Sequence, residues 1–241
     1  NLFTCQFNMH KVQRHVLSPS GATFTSRDID FMVSDNPDFH PTDVLEDADG
    51  SLLVVDTGGW YKLCCPTSQI AKPEVLGGIY RIRRTDGKPG QNPRGLKLNW
   101  STMDAGVLAG FLDDPRPYVR HRAMAQLGKM GKNAIPTLRH RLLKSSKSIT
   151  ARRNAVWALT RIDDAKARTF TRTGLADSDP TVQQAAAHAA GLRRDAAAIP
   201  QLLSLLKSKS LHVRREAATA LGCIGDQRAV PALLNAAQVG N

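Results

Sequence analysis

The sequence predicts a mixed fold of two parts, a β-rich part followed by an α-solenoid of paired helices. Alanine occurs 3 times before residue 104 and 26 times after it, whereas 9 of the 13 aromatic residues come before that point. Alanine is the strongest helix former and aromatic residues favour pleated strands, so the composition changes from strand-type to helix-type at this boundary. A pattern that recurs at a fixed spacing in the second part is the third observation.

The first part is predicted to consist of short strands separated by turns. Its segments of strand-type residues are 2–8, 11–18, 29–34, 40–46, 51–56 and 78–84. The strands over 40–46 and 51–56 flank the polar turn Asp47-Ala48-Asp49-Gly50, which predicts a β-hairpin. A long loop over 57–77 leads to the last strand, in which apolar and polar residues alternate.

Two aspartates in the hairpin turn raise the question of a calcium site. An EF-hand loop starting at Asp47 needs glycine at its sixth position and glutamate at its twelfth. The sequence has Leu52 and Gly58 there, so it favours a plain Asp-Gly turn. Nine carboxylates and no lysine or arginine lie between Asp28 and Tyr61, a pattern that favours a solvated acidic surface over a metal site.

Three motifs of the first part carry a family resemblance: DFHPTDV at 38–44, DGSL at 49–52 and GIYRI at 78–82. With them, residues 1–84 resemble the end of the membrane-bound dehydrogenase domain of planctomycete and verrucomicrobial proteins. That family is similar to the soluble sugar dehydrogenases that use pyrroloquinoline quinone, and it has a six-bladed β-propeller. Since a blade needs four strands, the resemblance implies about one blade and part of another here.

The resemblance also implies properties of a longer parent protein. Such a parent would bind pyrroloquinoline quinone and calcium, would often end in a separate haem-binding module, and would be exported, periplasmic or membrane-associated. The quinone-binding and catalytic residues of the family lie mostly on earlier blades, so no catalytic or cofactor-binding residue is assigned to this chain. The chain itself is expected to hold no cofactor and to have no turnover. It starts at Asn1 with no apolar leader and has no apolar run long enough for a membrane span.

The four cysteines leave alternatives open. In an exported protein, Cys5 could form a disulfide with Cys64 or Cys65, the adjacent pair could form a strained vicinal disulfide, or all three could be free thiols. Cys223 follows Leu221-Gly222 near a helix end and is interpreted as a small buried hydrophobic residue.

The second part contains an internal repeat. Four similar segments begin 32, 31 and 31 residues apart, at Val119, Ala151, Val182 and Val213. Proline is tolerated in the first turn of a helix, so Ile135-Pro136, Ile199-Pro200 and Val230-Pro231 mark helix starts. Two helices per unit at a fixed period predict an α-solenoid. The first helix of each unit is named helix A and the second helix B.

The stretches DDPRPYVRHRAMAQLGKMG (113–131) and VRREAATALGCIGDQRAVPALL (213–234) resemble short HEAT repeats of the phycobilisome lyase type. The resemblance covers 104–241 as four repeats and a truncated fifth, and a linker rich in glycine and proline is predicted over 85–103. The resemblance to HEAT repeats implies that helices A lie on the outside and that helices B line a concave face.

Within helix B, positions 1, 5 and 9 are expected to face the core, and positions 3 and 7 the opposite side. We define the B-helix row as the predicted binding residues at those two outward positions: His121, Arg153, Trp157, His188 and Arg215. One interpretation is a basic, partly aromatic surface for an acidic partner, and the other is an ordinary charged surface. The arginines at position 2 are expected instead to brace turns near Asp113 or Asp179; they are Arg120, Arg152 and Arg214.

The charge is concentrated in the helical part. Residues 104–241 carry 22 lysines and arginines against 10 acidic residues, whereas residues 1–103 carry 11 of each. HEAT-type hydroxylases bind iron through His-Glu pairs, and no histidine here is followed by glutamate. The sequence therefore predicts a scaffold that binds a protein or an acidic polymer and is attached to the remaining propeller blades. The alternative is a HEAT protein that binds nucleic acid through its basic concave face.

Overall fold

The computed structural model describes residues 1–59, 72, 74–86, 90–142 and 148–239. The chain forms two compact units, Asn1–Pro93 and Arg94–Asn241. In the described part of the chain, no helix is both long enough and apolar enough to cross a lipid bilayer.

The first unit contains two antiparallel sheets of three strands each, in which neighbouring strands follow one another along the chain. The strands are β1 Leu2–Gln6, β2 Lys11–Ser20, β3 Thr23–Val33, β4 Pro41–Glu46, β5 Leu52–Asp56 and β6 Gly78–Ile82. The hairpin of β2 and β3 extends further than predicted, because the chain turns at Gly21 with φ +60° and the residues from Thr23 onward continue the ladder.

The two sheets share a small core in which Val12, Phe39 and Val54 are buried. The predicted hairpin of β4 and β5 is confirmed, and its turn uses the positive φ of Gly50. Arg81 on β6 donates to the Asp47 carboxylate at 2.7 Å, so this turn aspartate is paired within the fold.

The interpretation of residues 1–84 as propeller blades stays a prediction. Each sheet has three strands among the described residues, whereas a blade has four. Cys64 and Cys65 lie outside the described residues, so the predicted disulfide also stays a prediction. Cys5 is half-buried on β1, and burial raises the pKa of its thiol.

The second unit is a helical array, as predicted. Its described helices are α1 Ala105–Gly110, α2 Pro117–Met130, α3 Ile135–His140, α4 Ile149–Thr160, α5 Ala165–Thr173, α6 Pro180–Leu192, α7 Ile199–Leu205, α8 Leu211–Ile224 and α9 Val230–Val239. The even-numbered helices are helices B, and each packs on the next, α2 on α4, α4 on α6 and α6 on α8. Among the described residues, the unit thus contains four pairs of helices followed by α9.

The core register of helices B is also confirmed. All twelve residues at positions 1, 5 and 9 are between 0 and 3% exposed. Most helix starts are fixed by side-chain caps. Asp104, Ser148, Asp164, Asp179 and Ser210 each accept a hydrogen bond from a backbone N–H of the first turn.

The structure divides the segment that was predicted as a linker. From Arg94 onward the chain belongs to the helical unit, where Trp100 is 8% exposed and joins the helical core. The Trp100 Nε1 donates to the Gly95 carbonyl at 2.8 Å. Gly95 has φ +66°, and a Cβ there would lie 2.9 Å from Val119 Cγ2, so both its conformation and its surroundings require glycine.

The prediction that Cys223 is buried is wrong. The residue is exposed in the last turn of α8. It lies two residues beyond the buried Leu221, which is a rotation of about 200° around the helix and takes its side chain away from the core.

Candidate binding surface on helices B

The five residues of the B-helix row lie on four successive helices. His121 is on α2, Arg153 and Trp157 are on α4, His188 is on α6, and Arg215 is on α8. The two histidines and Arg215 are exposed, whereas Arg153 and Trp157 are half-buried. Because α4 packs on α6 and α6 packs on α8, the row residues of these three helices lie on adjacent helices at the same register.

Contacts in the middle of the row link three helices. The ring centroids of Trp157 and His188 are 5.5 Å apart in an edge-on arrangement. The His188 Nδ1 lies 3.1 Å from Glu216 Oε1 on α8. The sequence pattern predicted that Trp157 faces solvent. In the structure its side chain also packs against the helical core and is only partly exposed. One part of the indole contacts the helical core, and its exposed part lies beside the His188 imidazole.

Glu216 was not among the predicted site residues. It is the single glutamate of residues 104–241, where the nine other acidic residues are aspartates. That distinction was a signal in the sequence, because a carboxylate on an outward face of helix B differs from the aspartates that occupy turns and helix caps. The pairing with His188 required the neighbouring helix to be seen.

Arg153 makes a long hydrogen bond to the next helix B, and a further arginine, Arg161, lies at one end of the row. The Arg153 Nη1 lies 3.4 Å from the Thr181 hydroxyl oxygen, a long hydrogen bond to the start of α6. Beyond Trp157, Arg161 donates from Nη1 to the Trp157 carbonyl at 3.2 Å. Arg161 is exposed and lies over Gly128 of α2, so it adds a cation at the end of the row.

The interpretation of the position-2 arginines as braces is confirmed for two of them. Arg152 forms two hydrogen bonds with the Asp177 carboxylate, at 2.8 and 3.0 Å, in the turn before α6. Arg120 donates to the Asp114 carbonyl at 2.6 Å. Arg152 therefore braces the turn through hydrogen bonds to Asp177, with Asp179 near enough for an electrostatic attraction. Arg120 braces a turn through a backbone carbonyl. These two guanidinium groups serve the fold.

Metal-ligating side chains do not gather on this surface. Among the described residues, no group of three or more His, Cys, Asp and Glu side chains is close enough to hold a metal ion. What the row offers chemically is an aromatic surface, an imidazole paired with a carboxylate, and flanking guanidinium groups. These groups bind and orient a partner, and none of them forms a nucleophile–base pair.

Two plant proteins are similar to part of the chain. Deoxyhypusine hydroxylase-B of Oryza sativa subsp. japonica is 38% identical over 95 residues, which are 39% of this chain and 32% of that protein. Deoxyhypusine hydroxylase of Arabidopsis thaliana is 40% identical over 87 residues, which are 35% of this chain and 28% of that protein. The chain thus spans about a third of the length of these relatives.

Two solved structures match part of the chain. The complex of CpcE and CpcF of phycocyanin lyase from Nostoc sp. PCC7120 matches with a TM-score of 0.45 and 24% identity, over 57% of this chain and 59% of that chain. Human deoxyhypusine hydroxylase in complex with glycerol matches with a TM-score of 0.36 and 24% identity, over 56% and 55%. The family model of HEAT repeats matches residues 105–173 and 170–241, which together make up more than half of the sequence. The chain therefore belongs to the HEAT repeat family.

Proposed function

We propose that residues 104–241 form a binding scaffold whose B-helix row takes an acidic protein or polymer. The contact of Trp157 with His188, between two flanking arginines on neighbouring helices, carries this proposal. An indole that is only half-buried leaves apolar surface in water, and a partner would cover it. Tryptophan and arginine are the residue types that most often dominate binding energy at interfaces.

The charge distribution supports an acidic partner. Residues 104–241 have 22 basic against 10 acidic residues. Most of the acidic residues cap helices or pair with arginines within the fold. Asp104, Asp164 and Asp179 cap helices, and Asp177 pairs with Arg152. Glu216 is the carboxylate that adjoins the row. An approaching carboxylate therefore meets Arg153 and Arg215, with Glu216 as a neighbouring carboxylate that pairs with His188.

The experiment compares Trp157→Ala with Lys207→Ala in the full chain. Lys207 is an exposed cation just beyond α7, away from the row. With fluorescein-labelled polyglutamate as the probe, we expect Trp157→Ala to weaken binding by about thirtyfold, the equivalent of about 2 kcal/mol. Lys207→Ala should change binding by less than about twofold. Circular dichroism would confirm that both variants keep their helices.

Two outcomes would contradict the proposal. In the first, every basic residue matters equally and binding disappears at about 300 mM salt, which would indicate diffuse electrostatics without a special role for the row. In the second, a DNA duplex binds more tightly than polyglutamate with a steep dependence on salt. That result would favour the alternative of a nucleic-acid-binding HEAT protein, since released counterions dominate such binding.

We further propose that the first unit is the end of a β-propeller in an exported, dehydrogenase-like parent, with pyrroloquinoline quinone and calcium bound by other blades. The matched motifs of residues 1–84 and the two three-stranded meanders support this. Exposed apolar residues on the β6 edge strand, such as Ile79, suit a neighbouring blade. Residues 1–93 alone should then unfold without a sharp transition, and a cooperative melt would contradict the proposal.

A further inference from the structure

A groove lies between α3 and α5, on the helices A of two successive repeats, so it is separate from the B-helix row. Its volume is about 410 Å³. The apolar part of its lining consists of Ile135, Pro136 and Phe170, and the charged part includes Lys132, Arg139 and Lys166. We name it the A-helix groove. Its volume is within the range of about 300–1,000 Å³ that is usual for ligand pockets.

Arg139 is the feature of the groove that points to a ligand. Its guanidinium carbon lies 5.2 Å from the centroid of the Phe170 ring. The two residues are 31 positions apart, which is one repeat, so the stack joins equivalent helices of neighbouring units. A guanidinium held against an aromatic face keeps its edge available for planar, bidentate binding of a carboxylate. Arg139 is exposed, so that edge is accessible to a ligand from solvent.

The other charges of the groove leave it electropositive. Asp164 is the carboxylate of the lining, and its Oδ1 accepts from the Lys166 backbone N–H at 2.7 Å as the cap of α5. Its Oδ2 lies 3.8 Å from the Lys132 Nζ, whose side chain is 82% exposed. A long, exposed ion pair of this kind contributes little and exchanges easily. Three cations therefore face one carboxylate that already serves the fold.

We propose that the A-helix groove binds an acidic peptide segment of a partner protein. An apolar side chain of the peptide lies on the exposed Pro136 and the half-buried Phe170, and a neighbouring carboxylate accepts two hydrogen bonds from Arg139. The apolar lining favours a peptide over a free anion, because a bare anion would leave that surface uncovered. The fixed plane of Arg139 favours a carboxylate of defined geometry over the diffuse charge of a lipid surface.

The test uses the full chain and a fluorescein-labelled peptide of alternating glutamate and leucine, about ten residues long, followed by fluorescence anisotropy. We expect Arg139→Gln to weaken binding by at least about tenfold, and Arg139→Lys by at least about threefold, because lysine keeps the charge but not the fork. Lys207→Gln is the matched control for a lost exposed cation and should leave binding within about twofold. Arg139 is exposed, so its variants should keep the fold.

A second arm separates this groove from the B-helix row. In a Trp157→Ala background, which removes the contribution of the row, Arg139→Gln should still weaken binding of the Glu-Leu peptide by at least about tenfold; absence of that loss would place the peptide on the row and overturn the proposal. Absence of binding would overturn it, as would equal binding of a matched Lys-Leu peptide or equal losses in Arg139→Gln and Lys207→Gln. Tighter binding to phosphatidylcholine vesicles containing phosphatidylserine, reduced by Arg139→Gln, would indicate a lipid surface and would also overturn it.

Discussion

Gly191 on α6 lies directly against Ala220 on α8, so closely that a Cβ on Gly191 would be 2.9 Å from the Ala220 Cα. The obstacle is backbone, which cannot rotate away as a side chain can. Gly128 occupies the same register on α2, and a Cβ there would lie 2.9 Å from the Arg161 Cβ. Gly222 is the equivalent residue on α8, and a Cβ there meets no described atom within 4 Å. Glycine at this register lets successive helices B approach closely.

Gly191→Ala should therefore destabilise the helical unit, although alanine is the better helix former. Overpacking costs about 1–3 kcal/mol, whereas helix propensity returns up to about 1 kcal/mol. Gly222→Ala is the matched control and should stabilise the protein by up to about 1 kcal/mol. Urea denaturation followed at 222 nm measures both. Stabilisation of both variants would show that propensity, and not the approach to Ala220, decides, and destabilisation of both would show that the loss is not specific to the approach to Ala220.

Asn154 is predicted to be a stabilising link between repeats. It is buried on α4, and its Nδ2 donates to the Leu112 carbonyl at 2.6 Å, just after α1. Asn154→Ala leaves that carbonyl without its donor in a buried place, which costs about 1–3 kcal/mol. Asn133→Ala, at an exposed turn position, should stay within about 0.5 kcal/mol. A thermal melt that is the same for the two variants would contradict the role of Asn154.

The core of the helical part could be predicted because a periodic sequence fixes a register. Positions 1, 5 and 9 of helix B, which are Val119, Ala123 and Leu127 in α2, carry apolar residues in every unit. Their burial follows directly from helical spacing. Contacts between neighbouring units could be predicted only in part. Trp157 and His188 are one repeat apart and were placed in one row, but the half-burial of the indole depends on how closely α4 and α6 approach.

Features without periodicity could not be predicted in this way. Trp100 lies in a segment rich in glycine and proline, and nothing local shows that its ring enters the helical core. The start of β3 at Thr23 was not predicted, because Pro19, Ser20 and Gly21 are all residue types that favour turns. Only Gly21 lies where the chain reverses, and Pro19 and Ser20 still pair with β3. Binding at the predicted row itself stays a prediction, since burial and register describe a surface and not its partner.

The segment that contains Trp100 should behave as a cap of the solenoid. Residues Arg94–Asn241 and 104–241 are both expected to fold alone, because each repeat contacts only its neighbours. The longer fragment should be more stable, since it keeps the buried indole, which lies 4.7 Å from the Arg122 guanidinium carbon. Trp100→Ala in the longer fragment should cost about 3–5 kcal/mol, as for other large buried aromatic residues. Equal melting temperatures for the two fragments would contradict a capping role.

The stability of the helical unit should depend on pH through its turn aspartates. Hydrogen bonds from the Arg116 side chain hold the pKa of Asp114 below its ordinary value, and the Thr181 hydroxyl does the same for Asp179. A folded-state pKa below the unfolded value of about 3.9 means that the ionised carboxylate stabilises the fold. This contribution is complete above about pH 5 and is lost as the pH falls through the folded-state pKa.

Asp114→Asn tests this dependence directly. The variant loses a carboxylate that binds Arg116 through Oδ1 and Oδ2, so its unfolding free energy should be lower than that of the native chain near pH 7. Below pH 4 the difference should shrink, because protonation removes the same charge from the native protein. Asp113→Asn, at the exposed neighbouring position, is the control and should keep the native acid profile. Urea denaturation between pH 7 and pH 3 measures the difference, and a gap that stays constant over this range would show that Asp114 acts by packing and not by its charge.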